Sequence, residues 1–587
     1  MDQQRLLIAI AISVAILLGF QLLVAPHLPQ PPKPEPAQVA STNAPLTNAP
    51  ATNAQSPLTP PQGSPVSNVP AVPKNVPRVK IAAQDLSGSI SLLGARLDDL
   101  VLTKYRETLA PDSPNVRLLE PLSDPEPYYV QYGWSAAPGA QVKLPGNDTT
   151  WTSSGDTLST GHPITLSWDN GEGLTFQIAF SVDDDYMFTV QQSVRNASGT
   201  PVTLYPWSRV RRDYTPETSG YYILFEGMLG IVDNTLQEMT YASAKSETDK
   251  KKSDIAYTSG SSGGWAGFTD KYWLTALIPA QSVPATVNFT HIKENGDHYQ
   301  VDYLAKQPET IAPHGDALLE SHLFAGAKIV SLLQSYQSRL QIPRFDYAVD
   351  WGYFWFLTQP IFTAIDWLNG VLGNFGLAIM AFTLGVKLLF FPLANYSYRS
   401  MSKMRLLGPR MQQMRERFKD EPQRMQQEMM AMYRAEKVNP ASGCLPMVVQ
   451  IPVFFSLYKV IFVTIEMRQA PFFGWIHDLS QVDPTNVFNL FGLIPFDPST
   501  ISPFLHMGAW PLIMGLTMFL QQRLNPPPPD PVQARMFQFM PLIFTFMMAR
   551  FPAGLIIYWS WNNLLSIAQQ WVIMRRTHLS RPGLART

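Results

Sequence analysis

Five apolar segments in the C-terminal part of this 587-residue chain constrain its fold more than any other feature. A helix needs about 20 predominantly apolar residues to cross the hydrocarbon core of a bilayer. The sequence therefore predicts a core of five transmembrane helices. The segments lie at about residues 375–395, 443–465, 508–524, 536–550 and 554–574.

A sixth apolar run, residues 6–24, lies near the N-terminus. It is long enough to span a bilayer, and no convincing cleavage site of a secretory signal peptide follows it. We interpret residues 1–24 as an uncleaved transmembrane anchor, and a cleaved signal peptide is the alternative. Charged residues make up only 15% of the chain, against roughly 25% in soluble proteins, which also favours a chain that is partly in a membrane.

The charges between the apolar segments predict their orientation. Residues 396–442 carry ten Lys or Arg against five acidic residues, and residues 575–587 carry four Arg and no acid. Residues 466–507 carry one Arg and four acidic residues. Because cytoplasmic loops are enriched in Lys and Arg, we expect residues 396–442 and both termini in the cytoplasm and residues 466–507 outside.

The region between the anchor and the apolar core divides into three parts. Residues 25–77 contain 15 prolines and few residues that could build a core, so we expect a disordered linker. Residues 78–345 hold many alternating stretches, such as LTFQIAF at 174–180, which predict a large external β-sandwich. Helical spacing around 317–340 predicts a helix that closes this domain. Residues 346–372, rich in Trp, Tyr and Phe, predict an interfacial amphipathic helix or, alternatively, the start of the next span.

The five-span core is predicted at residues 373–578, with a cytoplasmic helical hairpin at 396–440 and a basic cytoplasmic tail at 579–587. Apolar residues in the hairpin recur at spacings of three and four, which places them on one face of each helix. This Met-rich seam indicates either plain packing between the two helices or an adaptable surface for apolar clients. Its methionines include Met404, Met411, Met414, Met425 and Met429.

Lys387 stands in the middle of the segment 375–395, where a charge costs about 2.5–3.5 kcal/mol on insertion scales. About nine residues separate it from the basic loop, so snorkelling of its side chain to the surface is an incomplete explanation. No Asp or Glu lies within another predicted span, which makes pairing with a carboxylate the less favoured alternative. We therefore expect Lys387 to face a hydrated cavity. Lys459 lies nearer the outer end of its span and can snorkel to the interface.

Uncharged polar residues in the predicted spans could line such a cavity. Each of them alone more often joins two helices than serves a function. Together, around Lys387, they would form a wet and positively charged groove. They include Thr383, Gln450, Thr517, Gln521, Gln522, Gln538, Thr545, Asn562, Asn563, Ser566, Gln569 and Gln570.

Motifs for catalysis are weak throughout the sequence. The nine histidines form no H-E-x-x-H pair, and no phosphate-binding G-x-x-x-x-G-K-[ST] loop occurs. The single cysteine, Cys444, excludes an intramolecular disulfide and a Cys-ligated metal cluster. We expect no cofactor, no specific nucleic-acid binding and no enzymatic activity.

Four stretches of the membrane half resemble the YidC/Oxa/Alb family of membrane protein insertases. The resemblance is collinear from about residue 349 to residue 576. The N-terminal anchor, the Pro-rich linker and the external β-domain resemble the long form of Gram-negative bacteria, whose β-sandwich is similar to those of sugar epimerases. The stretches are MSKMRLLGPRMQQMRERF, QEMMAMYRAEKVNPASGCLPMVVQIPVFFSLY, RQAPFFGWIHDLS and RFPAGLIIYW.

The resemblance implies roles for particular residues. A positive residue in the second span of this family faces a hydrophilic groove that is open to the cytoplasm and the lipid, and Lys387 matches it. The family more often has arginine there, and lysine keeps the positive charge of that residue but not its bidentate guanidinium. The cytoplasmic hairpin is implied to be required for activity. The implied substrate contacts are Thr383, Gln450, Ile451, Pro452, Phe454, Met547, Tyr558 and Trp559.

The resemblance thus implies an insertase and folding chaperone of the bacterial inner membrane. Its implied partners are nascent membrane proteins, membrane lipids, the Sec translocon and ribosomes. An alternative is a small-solute transporter with a periplasmic binding domain, which would carry an internal repeat that the spans do not show. A membrane-anchored sugar-modifying enzyme is a further alternative, and it would need a convergent acid/base pair in the β-domain.

Overall fold

The fold is that of a computed structural model, which describes residues 76–220, 224–418, 421–436, 445–496, 498–501, 505–524 and 531–579. The predicted anchor at 1–24 lies outside the described residues. So do all but the last two residues of the predicted linker and all but the first residue of the predicted tail.

The N-terminal half of the described chain is β-rich, and its strands form where apolar and polar residues alternate. In LTFQIAFSV, for example, Phe176, Ile178 and Phe180 are buried while their neighbours are partly exposed. The strands are β1 (Arg78–Ala82), β2 (Leu86–Ser91), β3 (Arg96–Arg106), β4 (Asn115–Leu119), β5 (Tyr128–Ala136), β6 (Thr152–Ser153), β7 (Thr157–Leu158), β8 (Ile164–Asp169), β9 (Leu174–Val182), β10 (Met187–Asn196), β11 (Val202–Arg212), β12 (Gly227–Val232), β13 (Thr235–Met239), β14 (Ile255–Ser262), β15 (Trp265–Thr269), β16 (Trp273–Ile278), β17 (Pro284–Lys293), β18 (Asp297–Ala305), β19 (Glu309–Ile311) and β20 (Asp316–Ala327).

These strands form two sheets. The first has the order β14-β17-β18-β11-β5-β3-β2-β1-β7, with β19 beside β11 and β4 beside β3, and the second has the order β13-β12-β15-β16-β20-β10-β9-β8-β6. The sheets face each other across an aromatic core, since the ring of Trp134 on β5 lies 5.1 Å from that of Phe176 on β9. This arrangement is a β-sandwich.

Two helices accompany the sandwich, α1 (Tyr241–Lys251) and α2 (Val330–Arg339). Helix α1 was not predicted from the sequence, because its exposed face is almost entirely polar. The helix predicted to close the domain is confirmed as α2, but the change to helical period was placed too early, at about residue 317. Residues Asp316–Ala327 form β20, which pairs with β10 and β16, and the helix follows it.

The C-terminal half is helical. Helix α10 packs against α8, α4, α5 and α7, and α3 packs against α4 and α7. The helices are α3 (Trp355–Leu372), α4 (Phe375–Leu389), α5 (Phe391–Arg417), α6 (Pro422–Ala435), α7 (Leu445–Val463), α8 (Ala509–Leu524), α9 (Pro531–Met548) and α10 (Ala553–Leu579).

None of the described helices is by itself both long enough and apolar enough to cross a bilayer. Helix α4 and the first part of α5 are together long enough and apolar enough to cross a bilayer, and a bend of 65° separates them. The sequence pattern indicated one uninterrupted segment at 375–395, and this is corrected. Pro392 lacks an N–H and favours the first turn of a helix, so a new helix begins at Phe391.

The chain divides into two compact units. The larger comprises residues 58–526 and 541–587. The smaller comprises residues 1–57 and 527–540, of which the structure describes Pro531–Met540, the N-terminal part of α9.

Within the larger unit the β-sandwich rests on the residues around the C-terminal end of α7. Glu466 accepts a hydrogen bond from the first N–H of α2, at Val330, over 2.9 Å. Burial of this carboxyl raises its pKa to about 7. The ammonium of Lys459 lies 2.6 Å from the carboxylate of Asp350, which also accepts from the N–H of Phe225 over 3.0 Å. Lys459 is therefore held in an ion pair. The sequence pattern predicted only that its side chain snorkels to the interface.

Candidate functional site

The predicted site residue Lys387 lies near the end of α4. The helix begins at Asn374, whose side chain accepts a hydrogen bond from the N–H of Leu377 over 3.1 Å. It ends at Leu389, two residues after Lys387. The lysine thus sits at the bend between α4 and α5, and not in the middle of a straight span.

A polar row on α10 holds Lys387. Its Nζ donates to the hydroxyl of Ser566 over 2.8 Å, and that hydroxyl donates to the carbonyl of Asn562 over 2.8 Å. The amide of Gln569 donates to the backbone carbonyl of Lys387 over 3.1 Å. In the described part of the chain no salt bridge joins Lys387 to a carboxylate.

A partly open cavity of about 40 Å³ adjoins Lys387. This volume is enough for a few water molecules, provided that polar groups hold them. Four helices contribute to it: α4, α5, α7 and α10. Its lining residues are Val386, Lys387, Phe390, Leu393, Ala394, Tyr398, Pro446, Val449, Gln450, Val453 and Gln569.

Four of the residues that the resemblance implied form a connected wall beside this cavity. The side-chain amide of Gln450 on α7 donates to the hydroxyl of Tyr558 on α10, which is buried. One turn further along α7, the ring of Phe454 meets that of Trp559 edge-on at 4.7 Å between centroids. Together the two pairs join α7 to α10.

The other implied contacts lie in different surroundings. Thr383 is buried, and its hydroxyl donates to the carbonyl of Ile379 in its own helix over 2.7 Å. Pro452 lies inside α7 and is half-buried. Ile451 and Met547 expose 47% and 48% of their surface, so each is available to an apolar ligand. Thr383 does not line the cavity with Lys387 and Gln450.

Several of the polar residues proposed for a wet groove instead join helices. The amide of Asn563 on α10 donates to Thr517 on α8 over 3.2 Å, and that of Gln570 donates to the carbonyl of Leu524 over 3.0 Å. Thr545 donates to its own helix at Pro541 over 2.8 Å. The contacts of Asn563 and Gln570 are of the kind that stabilises helix pairs in membranes, whereas that of Thr545 stays within one helix.

The hairpin formed by α5 and α6 has a small core of its own. Leu407 and Tyr433 are buried there, and Met404, Met411, Met429 and Met432 pack around them. The Tyr433 hydroxyl lies 3.1 Å from the sulfur of Met411, and Arg410 pairs with Glu436 over 3.0 Å. The predicted seam residues Met414 and Met425 are half-buried and do not belong to this core.

Ser566 and Gln569 were expected among the polar residues around Lys387 but not as its direct partners, and Tyr398 was not expected at the site. The first two were available in the pattern, because Asn562, Ser566 and Gln569 recur at helical spacing and so share a face of α10. Tyr398 had no such signal, since its place in the cavity depends on the bend before α5.

Comparisons with known proteins identify relatives of this chain. The family model described as YidC periplasmic domain matches residues 78–364, and the one described as 60Kd inner membrane protein matches residues 367–580. A protein of Granulibacter bethesdensis named membrane protein insertase YidC is 58% identical, with 100% of each chain covered. The chain belongs to the YidC family of membrane protein insertases.

A further relative agrees with this assignment. A protein of Acidiphilium cryptum with the same name is 54% identical to this YidC-family chain, with 98% of each chain covered. A solved structure described as an active YidC insertase with its first transmembrane domain resolved has a TM-score of 0.35 and 16% identity, covering 85% of this chain and 93% of that one.

Membership confirms the main predictions from the sequence. The chain is a membrane protein insertase that acts on nascent membrane proteins, and its family is not one of enzymes. It is an inner-membrane protein with a large β-rich periplasmic domain followed by a helical region.

Proposed function

We propose that this YidC-family chain inserts its clients along the partly open site at Lys387, whose positive charge attracts an acidic segment of the client. One observation carries the proposal. The ammonium of Lys387 is held at the cavity by the neutral hydroxyl of Ser566, and no described carboxylate neutralises it. A positive charge in a site of low dielectric attracts a carboxylate far more strongly than it would in water.

The same site offers an apolar flank to the client. Leu388 and Leu389 are exposed at the end of α4, and Val448, Ile451 and Phe455 are exposed on α7. The acidic segment would pass beside Lys387 and Gln450, where water remains available. The apolar segment next to it would move along the exposed side chains into lipid, driven by the hydrophobic effect.

The finer topology belongs to the proposal as well. We place a transmembrane anchor at 1–24, a disordered linker at 25–77, a β-sandwich with its closing helix at 78–345 and an interfacial helix at 346–372. Five spans would lie at 373–578, interrupted by the cytoplasmic hairpin at 396–440 and followed by a cytoplasmic tail at 579–587. The excess of Lys and Arg in 396–442 supports this orientation.

Two partners and a second activity complete the proposal. The basic, Met-rich hairpin offers a surface to ribosomes and to emerging chains. The apolar flank near α7 would serve the Sec translocon and the folding of clients, which is a chaperone activity. The two partners and the chaperone activity are proposed from the surface chemistry of the described residues and from the resemblance to the family.

Substitution of Lys387 tests the proposal. In cells depleted of their own insertase, we expect Lys387→Arg to support insertion of a client with an acidic tail. Lys387→Met should reduce the yield about tenfold, equivalent to about 1.4 kcal/mol, because the attraction is lost. Lys387→Glu should reduce it further, because it repels the tail. Protease protection of the tail measures insertion.

A client without charges in its translocated tail is the control. Its insertion should change little between Lys387→Met and the parent chain, because it has no carboxylate for the ammonium to attract. Equal losses for the charged and the neutral client would contradict the proposed role of the charge.

A further inference from the structure

The connection between α7 and α8 exposes an apolar surface that the insertion site does not use. We define the apolar finger as residues 487–496, VFNLFGLIPF, which contain no charged residue. Six of its large side chains are exposed, and Leu493 reaches 82% exposure. They are Phe488, Leu490, Phe491, Leu493, Ile494 and Phe496.

The finger is a fixed structure that is tied down at its base. Asn486 donates from its amide to the carbonyl of Leu505 over 2.8 Å, and the N–H of Val487 donates to Met507 over 2.8 Å. Asp483 accepts from the N–H of Trp510, at the start of α8, over 2.8 Å. The base is therefore joined to α8, which carries the finger.

Polar groups inside the finger satisfy one another. The side chain of Asn489 accepts from the N–H of Gly492 over 2.9 Å and donates to the carbonyl of Phe496 over 3.3 Å. Its backbone carbonyl accepts from the N–H of Ile494 over 3.1 Å. Irregular backbone is costly in hydrocarbon because its polar groups lose water, and internal hydrogen bonds of this kind lower that cost.

The backbone at the tip turns two bulky side chains outward. Leu490 and Phe491 have φ of 53° and 59°, in the left-handed region that such residues rarely occupy. A conformation of this kind persists where the surroundings hold it and is frequent at ligand contacts. Here the hydrogen bond from the N–H of Phe491 to the carbonyl of Asn486, 2.8 Å long, holds the turn.

We propose that the apolar finger is a membrane anchor that inserts its tip among the acyl chains of the outer leaflet, beside α8. Two observations favour lipid over a protein partner. Protein interfaces carry a polar rim and many hydrogen bonds, whereas residues 487–496 carry no charged side chain. The apolar surface also continues onto α8, where Leu512, Leu516 and Leu520 are exposed.

The base has the composition of a membrane–water boundary. Trp475 is exposed by 42%, and its indole N–H donates to Asp483 over 3.1 Å. Tryptophan favours the headgroup level, where its ring is in apolar and its N–H in polar surroundings. The inference rests on the proposed orientation, in which residues 466–507 lie on the outer side of the membrane.

A fluorescent probe tests the anchor in the full chain. In a Cys444→Ser background, Leu493→Cys is labelled with an environment-sensitive dye and reconstituted into nanodiscs of phosphatidylcholine and phosphatidylglycerol. We expect a blue-shifted emission and several-fold stronger quenching by lipids with a nitroxide near the start of the acyl chain. The matched control is Leu318→Cys, which is 58% exposed near the start of β20 and should emit as in water.

Equal, water-like emission at both sites would overturn the anchor. Protection of residue 493 that needs added translocon or client would also overturn it, since the partner would then be a protein. Insertion of an acidic-tailed client by the same labelled protein is measured in parallel. If insertion is normal and the probe at residue 493 is exposed to water, the anchor is refuted and the insertion mechanism is not. If the probe is shielded and Lys387→Glu does not change insertion, the insertion mechanism is refuted and the anchor is not.

Discussion

At the scale of the residue, the candidate site depends on one lysine, Lys387. The ammonium is a compact charge with three donors, and one donor is used by the hydroxyl of Ser566. The absence of an acidic residue from the spans was visible in the sequence, so the lack of a carboxylate partner could be predicted. The hydrogen bond to Ser566 could not be predicted, because Ser566 lies 179 residues further along the chain.

Removal of the Ser566 hydroxyl tests how much the position of the ammonium matters. We expect Ser566→Ala to lower insertion of an acidic-tailed client about fivefold, equivalent to about 1 kcal/mol, the usual worth of one hydrogen bond. The charge of Lys387 remains, so the loss should be smaller than for Lys387→Met. Ser566→Thr keeps the hydroxyl and should insert at the parent rate. A larger loss for threonine than for alanine would contradict the role of the hydrogen bond.

Glu466 predicts a dependence of stability on pH. Burial raises its pKa from 4.5 to about 7, so the folded chain binds a proton more tightly than the unfolded chain. The contribution of Glu466 to the free energy of unfolding is complete below pH 4.5 and is lost as pH rises through 7. The total loss is about 3 kcal/mol. In detergent, Glu466→Gln should therefore show a smaller fall in Tm between pH 5 and pH 8 than the parent chain, because glutamine does not ionise.

The matched control is Glu421→Gln. Glu421 is exposed and pairs with Arg424 at the surface, so its substitution should leave the slope of Tm against pH unchanged. If Glu466→Gln kept the slope of the parent chain, another group would be responsible for the pH dependence.

At the scale of the element, local patterns were informative where neighbours in sequence decide the structure. The alternation in 174–180 predicted β9, and the turn DDD at 183–185 separates it from β10. The spacing in the hairpin predicted the faces of α5 and α6 that meet at Leu407. Residues 317–327 were assigned wrongly because pairing with two distant strands, β10 and β16, overrides their local preference.

The bend between α4 and α5 should depend on Pro392. We expect Pro392→Ala to restore backbone hydrogen bonds across the junction and to straighten the bend of 65°. Spin labels on Leu384 and Gln412, both exposed, would then lie several Å further apart in a pulsed spin-resonance measurement. Insertion should fall too, because α5 would no longer close the cavity beside Lys387.

Pro409 provides the control for this change. It lies inside α5 and is exposed, so Pro409→Ala should leave the distance between the labels unchanged. It should raise the stability of the helix, since proline in a helix interior costs about 3 kcal/mol relative to alanine. An unchanged distance in Pro392→Ala would mean that packing, and not the proline, sets the bend.

At the scale of the whole molecule, the sequence indicated the parts but not how they meet. The β-rich region, the apolar helices and the basic hairpin followed from composition and period. The contact between α2 and Glu466 and the ion pair of Lys459 with Asp350 join residues more than 100 positions apart. Such contacts follow no sequence period, so only the folded chain reveals that polar contacts join the β-domain to the end of α7.

The central claim is that the charge at residue 387 selects the charge of the client. In reconstituted vesicles, the parent chain should insert a client with an acidic tail in preference to a matched client with a basic tail. Lys387→Glu should show the opposite preference. The expected preference is about tenfold in each direction, equivalent to about 1.4 kcal/mol. If Lys387→Glu instead inserted the acidic-tailed client as well as the parent chain does, attraction by Lys387 would not be the mechanism.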